Sequence, residues 1–105
     1  MDSTIEIAKS IFSQKKYQET IDICNKILAS DRDSIAALRL IAKCMLVTRR
    51  IKDARFYLHK VLKINSHDFD AITELADSYQ AEGDIDSARN FYKKAISLKS
   101  NFAPA

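Results

Sequence analysis

A chain of 105 residues with 47% hydrophobic and 30% charged side chains is long enough for one small folded unit and too apolar to stay disordered. One glycine (Gly83) and one proline (Pro104) leave few of the residues that punctuate hairpins, which argues against a strand-rich fold. The formal net charge of +3 is too mild to point to nucleic acid, and two cysteines cannot build the disulfide framework of a small secreted domain.

In chain order, apolar residues recur at helical spacing through six segments. The first, near 3–14, carries Ile7, Ala8 and Ile11, and the second, near 17–30, carries Tyr17, Thr20, Cys24 and Leu28. Ser30-Asp31-Arg32-Asp33-Ser34 then supplies turn and capping residues before a third helix near 35–48 with Leu38, Ile41, Ala42 and Met45. A fourth near 51–64 holds Ile51, Ala54, Leu58 and Leu62, and Asn65-Ser66-His67-Asp68 closes it. The fifth, near 69–82, holds Ile72, Leu75, Ala76 and Tyr79; after Glu82-Gly83-Asp84 the sixth, near 85–98, holds Ile85, Ala88, Tyr92, Ala95 and Ile96. The opening Met1-Asp2-Ser3-Thr4-Ile5-Glu6 has acid where a signal peptide needs base, and no apolar run approaches the roughly 18 residues that span a bilayer. A cytoplasmic location without membrane contact is the expectation.

A shift of thirty-four residues superposes the chain on itself twice. Ala8, Ala42 and Ala76 coincide, as do Ile7, Ile41 and Leu75, and then Thr20, Ala54 and Ala88. Small residues at these places let two helices approach closely, while larger neighbours fill the space around them. Charge is not repeated: residues 1–34 carry five basic and six acidic side chains, 35–68 eight and two, and 69–102 four and six.

These residues resemble the tetratricopeptide repeat, whose pattern is W-x2-L-G-x2-Y, then A-x3-F, then P. Ile72, Leu75, Ala76, Tyr79, Ala88 and Tyr92 follow it in the third block, Leu38, Ile41, Ala42, Met45, Ala54 and Leu58 in the second, and Thr4, Ile7, Ala8, Ile11, Thr20 and Cys24 in the first. Arg32, Ser66 and Ser100 stand where the proline is expected. The resemblance implies an all-α solenoid of three antiparallel helix-turn-helix hairpins in a right-handed superhelical stack. It implies one domain over residues 1–102, with repeats 1–34, 35–68 and 69–102, and 103–105 as a tail or the start of a further repeat.

Chemistry-bearing clusters are scarce. His59 and His67 are not joined by a set of Cys or carboxylates that would make a zinc site, and read as surface imidazoles near a helix end. Cys24 aligns with Leu58 and Tyr92 and reads as core; Cys44 aligns with Ser78 and reads as a helix interface. Most of the aromatic residues fall on packing faces, with Phe102 expected between hairpins. Lys52, Arg55, Lys60 and Lys63 form either a solvated outer face or a site for an anionic ligand. No catalytic, cofactor or metal site is expected, and the chain is read as a non-enzyme.

By resemblance, the first helix of each hairpin lines a concave groove. Its residues would be Asp2, Ile5, Lys9, Phe12 and Ser13, then Arg39, Lys43, Leu46 and Val47, then Asp70, Thr73, Asp77 and Gln80. Lys9, Arg39 and Lys43 would make a basic wall facing an acidic end at Asp70, Glu74 and Asp77; Leu46 and Val47 would be either apolar anchors or covered by neighbouring chain. The expected role is a protein-interaction scaffold for a peptide or partner domain. The alternatives are the recruiting segment of a larger enzyme, such as a bacterial sulfotransferase or glycosyltransferase, and an anionic-ligand binder through the basic middle repeat. A homodimer through the last helix, by Tyr92, Ala95 and Ile96, is a further expectation. The carboxylate clamp of co-chaperone members is missing: Ile5, Lys9, Leu40, Asp70 and Glu74 occupy its places.

Overall fold

The computed structural model describes the backbone of residues 3–102 and the side chains of residues 4–99. Six helices follow in order: α1 (Ser3–Ser13), α2 (Tyr17–Ser30), α3 (Ile35–Val47), α4 (Ile51–Ile64), α5 (Phe69–Ala81) and α6 (Ile85–Phe102). Each odd helix packs against the even helix after it, and α2 then packs on α3 and α4 on α5, so three hairpins stack as an all-α solenoid.

Every hairpin turns in three residues by the same device. Lys15, Arg49 and Gly83, thirty-four residues apart, have φ of 64°, 66° and 83°. The next amide in each case bonds back across five residues: Lys16 to the Ile11 carbonyl, Arg50 to that of Met45, Asp84 to that of Tyr79. This is a left-handed helix stop, and only the third copy has the residue that suits it. Arg49→Gly should therefore raise stability by about 1 kcal/mol in a urea melt, and an unchanged or lower midpoint would contradict it.

The turns between hairpins also repeat. The Asp31 and Asn65 side chains accept from the amides of Asp33 and His67 at 3.2 and 3.1 Å. Ser34 and Asp68 then cap α3 and α5 by accepting from Ala37 and Ala71 at 3.2 and 3.0 Å. These side chains shape the turns without the family's proline. The third copy of the helix-ending residue is Lys99, a good helix former, and α6 runs on to Phe102 instead of stopping near 98 as expected.

Ala8, Ala42, Ala76, Ala54 and Thr20 are fully buried and Ala88 nearly so, which makes the small-residue seam between paired helices. Thr20 keeps its hydroxyl satisfied by donating to the Lys16 carbonyl at 2.9 Å. Equivalence fails at the ends of the stack. Ile7 is 53% exposed although Ile41 and Leu75 are fully buried, and Ile85 and Ile96 are 52% and 66% exposed although Ile51 is buried and Leu62 half-buried. Only inner positions have a hairpin on both sides. The side chains of Asp2 and Phe102 lie outside the described residues.

Candidate peptide-binding face

Among the first helices α1 packs on α3 directly, and the Arg39 side chain of α3 reaches Asp70 and Glu74 of α5. On α1, Ile5 and Phe12 are half-buried and Lys9 is exposed, 3.6 Å from the Glu6 carboxylate on its own helix. Phe12 packs edge-on to Tyr17, with ring centroids 5.6 Å apart. On α3, Lys43 and Val47 are exposed and Leu46 is half-buried, so the apolar ground is present, though only Val47 is largely open.

The basic wall is shorter than the sequence suggests. Arg39 reaches across to α5, 3.4 Å from the Asp70 carboxylate and 4.0 Å from that of Glu74. The second contact is too long for a hydrogen bond, which leaves Arg39 Nε and Glu74 Oε1 buried without partners. Burial pushes the Glu74 carboxyl up, helped by the nearby Asp70 and Asp68 and opposed by Arg39 and Lys43. Lys9 and Lys43 are left as the cations open to solvent on this face.

The α5 end is likewise held by its own hairpin. Thr73 is half-buried and donates to the Phe69 carbonyl at 3.0 Å. The Tyr92 hydroxyl of α6 donates to the Asp77 carboxylate and lies 2.9 Å from the Gln80 side-chain oxygen. That bond to Asp77 pushes the tyrosine up to about 12. Ile5, Lys9, Phe12, Arg39 and Lys43 thus gather about the α1–α3 seam, while Asp77 and Gln80 turn toward α6 within the third hairpin.

Sequence reasoning missed Ala36. It sits where two clefts meet: one of about 360 Å³ bordered by Lys9, Phe12, Leu40 and Lys43, and one of about 550 Å³ bordered by Thr4, Ile5, Lys26 and Ile27. The signal was available, since thirty-four residues on, Ala36 becomes Asp70.

The remaining basic residues do not form one outer stripe. Lys52, Lys60 and Lys63 are exposed, but Arg55 bridges α4 to α5, ion-paired with Glu82, 3.5 Å from the Ser78 carbonyl and 4.3 Å above the Tyr79 ring. Phe56, unlike most of the aromatics, is 58% exposed, with the Lys60 ammonium 4.6 Å from its ring centre. His59 and His67 are exposed, and among the described residues no helix is long and apolar enough to cross a membrane.

The tetratricopeptide repeat model matches residues 49–104, more than half of the chain. The chain belongs to the tetratricopeptide repeat family. This tetratricopeptide array is 26% identical over 95 residues to the BBSome complex member BBS4 of Bos taurus, a match covering 90% of this chain and 18% of that protein. It is 29% identical over 98 residues to a DnaJ homolog subfamily C member 3 homolog of Dictyostelium discoideum, covering 90% and 20%. The chain therefore spans about a fifth of the length of these relatives. Among solved structures, MamA superposes with a TM-score of 0.85 at 22% identity, over 96% of this chain and 59% of that one. The first TPR of Spaghetti (RPAP3), bound to the HSP90 peptide SRMEEVD, superposes at 0.86 with 19% identity, over 93% and 78%. At these identities the superpositions speak to the fold.

Proposed function

We propose that this array is a protein-interaction module that holds a peptide segment along the α1, α3 and α5 face and performs no chemistry itself. The observation that carries this reading is the pair of adjoining clefts meeting at Ala36, on a face where Lys43 and Val47 are exposed. Two solved neighbours of the same fold hold a peptide, which supports the use. Ile5, Ile27 and Phe12 give these mixed clefts apolar ground for affinity, and the charged residues beside them supply selectivity. Because the relatives are much longer, the module is read as a part that recruits partners to a larger protein. The apolar end at Ile85, Tyr92 and Ile96 offers a stacking surface for a second copy or for further repeats.

A display library of random peptides tests the groove. Peptides retained by the wild type should be released by Lys43→Glu or Thr73→Arg; retention unaffected by either change would move the binding surface elsewhere. The missing clamp makes a sharper prediction. Leu40 is buried and Asp70 and Glu74 are acidic where cations would grip a terminal carboxylate. SRMEEVD with a free C-terminus and the same peptide as its amide should therefore titrate alike. A tenfold preference for the free acid, about 1.4 kcal/mol, would show that a clamp exists.

A further inference from the structure

The two seams between first helices are built differently. Across α3 and α5, Arg39 bridges to Asp70 and Glu74. One repeat earlier, the same three positions are Ile5, Ala36 and Leu40, so the bridge has no counterpart across α1 and α3. The space it would occupy is open: the clefts of about 550 and 360 Å³ meet there, at Ala36. Their chemistry is graded. Ile5 and Ile27 give the larger cleft an apolar wall, with Lys26 and Asp31 of opposite sign on its rim. Lys9, Arg39 and Lys43 border the smaller one without a carboxylate among its lining residues. Arg39 is held by α5, and among the described residues Lys9 has only its exposed contact with Glu6 and Lys43 forms no ion pair.

From this we infer that the α1–α3 seam is the ligand-reading half of the groove, and that its occupant is an acidic peptide with one aliphatic anchor. The inference rests on the groove reading above and narrows it, because the α3–α5 seam is already bridged by Arg39 and the carboxylates of α5 would repel an acidic segment. The anchor sits between Ile5 and Ala36, where burying an aliphatic side chain is favourable, and its carboxylates meet Lys9 and Lys43. Ile5 and Lys9 are one helical turn apart, about 6 Å at ~1.5 Å per residue. An extended peptide covers that distance in about two residues, which sets the spacing between anchor and acid.

The probe is a fluorescein-labelled, C-terminally amidated peptide with a central leucine and an aspartate pair two residues to either side, followed by anisotropy. It should bind, weaken with added salt, and lose at least about tenfold when asparagines replace the aspartates or glycine replaces the leucine. Ile5→Arg with Ala36→Asp copies the Arg39–Asp70 bridge into the empty seam and should abolish binding while leaving the helical circular dichroism unchanged. Lys43→Glu, at an exposed position, should weaken it about tenfold without touching the fold. No binding by the wild type, or binding indifferent to both variants, overturns the inference. Library peptides released by Thr73→Arg yet indifferent to the Ile5→Arg and Ala36→Asp pair would overturn it and leave the wider groove reading standing.

Discussion

Leu58→Ala unfolds about 3 kcal/mol more easily than the wild type, a fall of roughly 15 °C in melting temperature for a chain of this size. Leu58 has no exposed surface and lies in the middle of the stack, with core on every side. Truncating it removes apolar contacts and leaves a cavity that packed neighbours on α3 and α4 cannot fill. The informative control is Ile96→Ala. Ile96 matches the inner position Leu62 by repeat yet is 66% exposed, so its loss should change stability by no more than about 0.5 kcal/mol. Paired denaturant melts decide the matter. Equal losses at Leu58 and Ile96 would mean that stack position does not govern packing.

Both thiols of the native protein resist an alkylating or disulfide-exchange reagent, while the denatured chain reacts at once. Cys24 and Cys44 are completely buried. Burial pushes Cys24 from 9.0 up to about 12, with the nearby Cys44 adding to the shift, and pushes Cys44 up to about 11 against hydrogen bonding that lowers it. At pH 8 an unperturbed thiol of this kind is ionised about one time in ten, whereas the Cys24 thiol is ionised about one time in ten thousand. Thiolate scarcity alone slows Cys24 about a thousandfold, before steric exclusion is counted. Labelling should then follow the opening of the fold, with denaturant accelerating both sites as it populates unfolded chain. Rapid stoichiometric modification of either cysteine in native buffer would contradict this account, and would give the thiols a chemistry the core does not permit.

Helix count, every helix boundary but the end of α6 to within a residue, and the small-residue seam were legible because they depend on local pattern and on side-chain volume. Ala8, Ala42 and Ala76 stand at one register, and any residue with a larger side chain there would hold the paired helices apart. Two of the three hairpin stops were not legible, since Lys15 and Arg49 conceal a left-handed conformation that Gly83 advertises. The end of α6 was misjudged because Lys99 lacks the side-chain acceptor that Asp31 and Asn65 turn toward the backbone. The candidate groove residues could be named from the repeat register, but their pairing could not. Arg39 reads as one of three equivalent cations until α5 is placed beside it, and Asp77 and Gln80 read as groove lining until Tyr92 is seen to approach both.

A period of thirty-four residues and a helical spacing of apolar side chains are properties of the chain alone, and they suffice to make residues 3–102 a stack of three helical hairpins. Tertiary structure decided which equivalent positions differ: Ile7 and Ile96 are open while their inner counterparts are enclosed or half-enclosed, and one seam is bridged by charge while the other stands empty at Ala36. The physical reason is that burial and ion pairing require a neighbour, and a neighbour is a matter of position in the stack, which no single repeat encodes.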